Sequence, residues 1–224
     1  MKNKSVFSCQ SCGAKSPKWL GRCPTCGEWN SLVETAVLAP HKHNNRGSKS
    51  RVLSPIRFSE VRGKEFVRIK SGIGELDRVL GGGLVPGSVV LLAGEPGIGK
   101  STIVMQIAQA LKEGAVMLVS GEESAPQIKE RLTRLGYAGK NLKFVGETNV
   151  ERIIATMSAL KPALVIVDSI QTVTASAVEA EAGSVSQIRG STALFLEAAK
   201  RDNIAVMIIG HVTKEGLAAG PKAL

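Results

Sequence analysis

The chain has 224 residues, of which 43% are hydrophobic and only 4% aromatic, and a net charge of +10. That length buries one sizeable core with room for a small unit beside it. No run approaches the roughly 18 apolar residues of a membrane span, and no apolar stretch of signal-peptide length follows the opening lysines, so the expectation is a cytoplasmic protein without a membrane partner.

The positive charge is segregated. Residues 1–70 hold 14 Lys/Arg against 4 Asp/Glu, whereas residues 71–224 hold 15 of each. A basic segment on a neutral body is the electrostatic footprint of a polyanion binder; a solvated linker is the other reading. Three regions follow from composition: a cysteine-bearing unit over 1–35, a basic linker over 36–65, and a core over 66–224. No internal repeat is found.

The first region carries every cysteine and both tryptophans. Cys9-x2-Cys12 and Cys23-x2-Cys26 each form a knuckle, and two knuckles complete a four-thiolate shell for Zn²⁺. Gly13 and Gly27 follow the second cysteine of each pair, where a small residue lets backbone amides turn toward the sulfurs. In a reducing compartment metal is favoured over disulfides or a redox pair. Four thiolates leave no open position, so the zinc is structural, and about 30 residues need it to fold. Trp19, Trp29, Lys15, Lys18 and Arg22 form either a nucleic-acid face or, for the tryptophans, a cover over the metal core. The region over 36–65, including "APHKHNNRGSKSRVLSP", is polar, basic and without apolar periodicity.

Beyond it, apolar runs "SVVLLAG", "AVMLVSG", "LKFVG", "ALVIVDS" and "AVMIIG" alternate with helical patterns. This predicts an α/β core with a mainly parallel sheet whose strands are buried on both faces. The first strand runs into Gly94-Glu95-Pro96-Gly97-Ile98-Gly99-Lys100-Ser101-Thr102, then into a helix. Strand, glycine loop and helix in that order are the context a P-loop requires. The glycines let the backbone wrap phosphates, and the helix N-terminus adds its dipole. Lys100 reaches the terminal phosphates and the Ser101 hydroxyl holds Mg²⁺, with Thr102 a weaker candidate. Asp168 closes a buried strand, where a carboxylate holds the same Mg²⁺ as in Walker B sites.

"VMLVSGEES" ends in Glu122 and Glu123. Read as the strand adjacent to the P-loop strand, it places a carboxylate beside the γ-phosphate to polarise water. The other glutamate would cap the next helix; Glu122 is the expected catalyst. His211 ends the last strand, as a phosphate sensor or as a structural histidine.

Together, "CQSCG", "CPTCGEWN", "SGIGELDRVLGGGLVPGSVVLLAGEPGIGKST", "VSGEES", "VIVDSIQT", "GSVSQIR" and "GHVTKEGLAAGPK" resemble the RadA (Sms) family of bacterial DNA-repair proteins over essentially the whole chain. The resemblance implies a RecA-like ATPase core related to hexameric DnaB-type helicases, using ATP and Mg²⁺. It implies partners: single-stranded DNA, branched recombination intermediates undergoing branch migration, a RecA-type recombinase and, in the complete protein, copies of itself in a hexamer. Glu122 matches the catalytic glutamate and His211 the sensor. The segment from about Thr174 to Gln187 matches a mobile DNA-binding loop, with Arg189 just beyond it; Lys214 and Lys222 fall in a second, channel-facing loop. Gly190-Ser191 departs from the family pattern, a glycine inside a helix costing about 1 kcal/mol relative to alanine. Family members continue with a "KNRFG" segment and a Lon-like domain, so a C-terminally truncated chain with impaired turnover is expected. Other readings are a non-motor ATPase or phosphotransferase of the KaiC type, and a zinc-finger docking module with nucleotide as structural ligand.

Overall fold

The computed structural model describes residues 5–9, 11–36, 57–60, 67–111 and 114–211. The expected linker lies largely outside them, as do Lys214 and Lys222.

The cysteine unit is a small antiparallel sheet, β2-β1-β3, of β1 (Ser5–Cys9), β2 (Lys15–Ser16) and β3 (Leu32–Ala36). Among the described residues its buried apolar core is Cys9, Cys23 and Leu32, with Phe7, Cys12 and Ala14 packed against them. So small a core cannot hold the unit without a further crosslink.

In the core the expected alternation is present. After the short α1 (Gly74–Val79) come β4 (Val89–Gly94), α2 (Lys100–Ala110), β5 (Val116–Ser120), α3 (Ala125–Arg134), β6 (Leu142–Val145), α4 (Val150–Leu160), β7 (Leu164–Asp168), α5 (Val185–Asp202) and β8 (Ala205–His211). The five strands are all parallel, in the order β4-β8-β7-β5-β6. Period-2 alternation divides each central strand between two cores. Met117, Val119, Val165, Val167, Val206 and Ile208 face α4 and α5. Leu118, Leu164, Ile166, Met207 and Ile209 face α2 and α3. Only β5, β7 and β8 are buried as expected; β4 and β6, at the edges of the described sheet, are half-exposed, with Leu91 39% open.

Strand order corrects a second expectation. β5 is not beside the P-loop strand β4: β8 and β7 intervene. The chain crosses to β5, moves outward to β6, and returns through β7 and β8. Sequence neighbours therefore bracket the returning strands, and the ends of β4, β8, β7 and β5 share one rim. In open parallel sheets that carboxyl rim is where ligands bind.

The glycine in α5 is explained by packing. A Cβ on Gly190 would lie 2.7 Å from Val178 Cγ2, so its absence lets residues 175–178 lie against the helix. Gln187, buried on the same helix, holds that segment: Oε1 accepts from Ala175 N–H at 2.8 Å, and Nε2 donates to Val178 O at 2.8 Å and Ala180 O at 3.0 Å. The segment expected to be a mobile loop is latched to α5 here.

Candidate functional site

Between β4 and α2 the backbone must reverse around empty space, which needs left-handed conformations open to glycine. Gly97 (φ 81°) and Gly99 (φ 100°) supply them, and a Cβ on either would meet nothing within 4 Å. Gly99 is also the N-cap of α2, so first-turn amides without intrahelical partners face the cradle. Lys100 is only 6% exposed. Its ammonium donates to the Gly94 and Glu95 carbonyls, each at 2.8 Å. Two loop carbonyls thus hold a buried cation at the mouth of the cradle. Glu95, Pro96 and Ile98 are exposed on the loop, and Thr102 is exposed on α2.

One residue on, the Ser101 hydroxyl donates to Asp168 Oδ2 at 2.8 Å, joining α2 to the end of β7. Burial raises the Asp168 pKa; the Ser101 hydrogen bond opposes this, and the charges of Glu122 and Glu123 add to it. A carboxylate held above its ordinary range by neighbouring acids and desolvation fits a divalent cation that neutralises it. A hydroxyl and a carboxylate are hard oxygen donors of the kind Mg²⁺ takes.

The two glutamates after β5 separate. Glu123 pairs with Arg131 of α3, both side chains about one-quarter exposed. Neither glutamate caps α3. Ser124 does, its N–H and hydroxyl both donating to Gln127 Oε1 at 2.8 and 2.7 Å. Glu122 turns the other way: its Oε1 accepts from the Ser169 hydroxyl at 2.7 Å and lies 4.0 Å from His211 Nε2. Three strand ends, β5, β7 and β8, thus converge on one carboxylate oxygen. Ser169 follows Asp168 across a cis peptide and is fully buried. Gln171 donates to the His211 carbonyl at 3.3 Å, while its Oε1 and His211 Nδ1 are buried without a hydrogen-bond partner among the described residues. Ser169 and Gln171 were not singled out from sequence, where "DSIQT" distinguishes only its aspartate.

In the cysteine unit, the four sulfurs lie within 4.8 Å of one another, with Cys9–Cys26 at 3.6 Å and Cys12–Cys23 at 3.5 Å. A tetrahedral zinc with bonds of about 2.3 Å needs sulfurs about 3.8 Å apart, so the shell fits. Gly13 (φ 73°) and Gly27 (φ 77°) close the knuckles onto the Cys9 and Cys23 carbonyls, aiming the next amides at Cys12 and Cys26. Burial pushes the Cys12 thiol up to about 12. Burial also acts on Cys9, but its hydrogen bonding with the Ser31 hydroxyl and with backbone amides outweighs it and brings that thiol down to about 6. Four crowded thiols cannot all ionise alone, and a divalent metal removes the conflict. Both tryptophans lie outside this core, Trp19 55% and Trp29 67% exposed, so they do not cover it.

These two sites define a P-loop nucleotide-binding core joined to a four-cysteine metal ribbon. The AAA domain family matches residues 55–217, and the chain belongs to that family. A rubredoxin metal binding domain matches residues 7–34, in keeping with a zinc ribbon. The whole chain is 46% identical to proteins named DNA repair protein RadA from Listeria monocytogenes, Bacillus subtilis and Aquifex aeolicus, so the resemblance to the RadA family holds. It spans about half the length of these relatives, 49–50%. A KaiC-like protein of Pyrococcus horikoshii OT3 matches with a TM-score of 0.55 at 21% identity, over 66% of this chain and 73% of that one, which identifies the fold as RecA-like. Among the described residues no helix is long and apolar enough to cross a membrane.

Proposed function

We propose that this chain binds and hydrolyses ATP with Mg²⁺ in DNA repair, acting on single-stranded DNA and on branched recombination intermediates. The observation that carries the catalytic half is the convergence of Ser169 and His211 on Glu122, on the rim that also holds Lys100, Ser101 and Asp168. The DNA half is supported by the basic first third and by the names of the relatives.

The cradle of Gly94 to Thr102 wraps the phosphates, and Lys100 exchanges two carbonyl partners for phosphate oxygens as it takes up their charge. Ser101 and Asp168 hold Mg²⁺, which supplies charge neutralisation and Lewis acidity. Glu122 accepts a proton from water at its carboxylate; the Ser169 hydroxyl fixes the rotamer from which it does so. Glu123, engaged by Arg131, is left for structure. His211 Nε2 lies 4.0 Å from the same Glu122 oxygen, and Gln171 bonds the His211 carbonyl, so a change at the phosphates is relayed to the end of β8. Arg189, Lys214 and Lys222 are candidate DNA contacts. Copies of the protein assemble as a hexameric ring alongside a RecA-type recombinase. Residues 1–35, 36–65 and 66–224 act as metal ribbon, basic linker and motor core.

The test is phosphate release with and without an oligo-dT strand, for the chain and for Lys100→Ala. Turnover raised by the strand and abolished in the variant is expected. Turnover indifferent to both would refute the proposal.

A further inference from the structure

The function above uses the cysteine ribbon only as a fold, yet its surface is unusual. The segment between the knuckles carries Trp19 and Leu20 at 55% and 40% exposure, and Trp29, just after the second knuckle, is 67% exposed. Indoles are rarely left this open on a small unit with a starved core, because burying one is worth more than any other side chain could supply. The two rings are also not scattered. Arg22 and Trp29 face each other across an antiparallel bridge, and Asn30 N–H bonds Gly21 O at 2.8 Å. The point a Cβ on Gly21 would occupy lies 3.7 Å from Trp19 Cη2 and 3.9 Å from Trp29 Cζ3. Both six-membered rings therefore flank one side-chain-free residue and present one continuous aromatic ledge.

Cations border that ledge. The Arg22 guanidinium sits 5.7 Å from the Trp29 ring centroid, held there by its own bond to Gly27 O at 2.7 Å. Lys15, at the start of β2, and Lys18, next to Trp19 in sequence, are exposed on the same small unit. A purely apolar protein partner would match the indoles and leave these charges unpaired. Exposed aromatic faces edged by fixed and flexible cations match alternating bases and phosphates instead. Base–aromatic stacking contributes about 1–3 kcal/mol per base and tolerates any sequence.

We propose that the Trp19–Trp29 ledge, with Arg22, Lys15 and Lys18, is a stacking site for single-stranded nucleic acid, separate from any contact made by the core. The inference rests on the single-strand reading of the function and adds a second foothold to it. The metal ribbon is then a base-holding element that keeps the strand near the ATPase through the basic segment between them.

Both tryptophans of the chain lie in the ribbon, so intrinsic fluorescence reports on this site alone. The zinc-loaded chain is titrated with oligo-dT, reading tryptophan quenching and, in parallel, anisotropy of a labelled strand; heparin serves as a polyanion without bases. Expected are quenching by oligo-dT but not by heparin, and a loss of affinity of about five- to a hundredfold in Trp19→Ala and Trp29→Ala. Trp→Phe variants should retain most of the binding, and Lys18→Gln should reduce the log–log salt slope by about 0.7. Zinc content of one per chain in each variant, with unchanged basal ATPase, excludes misfolding. Anisotropy binding without quenching, and equally tight in the alanine variants, overturns the ledge while leaving the single-strand reading intact. No binding by either readout overturns both.

Discussion

The division of labour proposed for Glu122 and Glu123 predicts opposite outcomes for two isosteric changes. Glu122 is half-exposed, 48%, and its carboxylate accepts a hydrogen bond from the Ser169 hydroxyl. In Glu122→Gln the amide oxygen still accepts that hydrogen bond, so stability should change by less than about 0.5 kcal/mol. Turnover should fall by roughly two to four orders of magnitude, the scale for removing a positioned base, with ATP affinity retained. Glu123 is the reverse case. It and Arg131 are 28% and 25% exposed, and Glu123 Oε2 and Arg131 Nη1 are buried without hydrogen-bond partners among the described residues. Neutralising one member of a half-buried pair strands the other charge, at a cost between the exposed limit of about 1 kcal/mol and the buried limit of about 3–5 kcal/mol. For a chain of this size about 2 kcal/mol lowers Tm by roughly 4–8 °C. Phosphate release and thermal melting on both variants measure the pair. A Glu123→Gln variant that loses more turnover than Glu122→Gln at unchanged Tm would show that the assignment is inverted.

Other consequences follow from the same geometry. Asp168 is raised by burial, so its native state favours the protonated form. The stability this gives is full at low pH and is lost as pH rises through the folded pKa. Asp168→Asn should therefore melt higher than the parent at neutral pH, with the gap closing toward pH 4; a lower Tm at neutral pH would contradict the burial argument. Gln187→Leu removes the bonds to Ala175, Val178 and Ala180 and should speed amide exchange and proteolysis in residues 175–180 with little change elsewhere; unchanged exchange would mean the latch is idle. Metal chelation should unfold the ribbon while the core melts as before, because every cysteine lies at or before Cys26; the expected readout is loss of ribbon amide protection and release of one zinc per chain.

Much of this site was legible in the sequence because it is local. The P-loop, the cysteine knuckles and the five strands each occupy a short window whose spacing carries the chemistry. Lateral order was not legible: hydrophobic period makes β5 a strand without saying that β7 and β8 pass between it and β4. Contacts far apart in the chain were hidden for the same reason. Ser169 meets Glu122 across 47 positions, and a serine after an aspartate has no local mark of that role. Gln187 looks like any polar residue in a helix, and only the loop folded onto it explains both its burial and the glycine at 190. The tryptophans were ambiguous because composition cannot decide whether an indole covers a metal core or faces solvent.

The central claim is that nucleotide state and single-strand binding are coupled through this rim. Binding free energies are reciprocal, so the direct measurement is oligo-dT affinity at fixed salt with no nucleotide, with ADP and with a non-hydrolysable ATP analogue, each with Mg²⁺. Affinities that differ by about fivefold or more between the ADP and ATP-analogue states, and converge in Lys100→Ala, are predicted. Identical affinities in all three states would contradict the account.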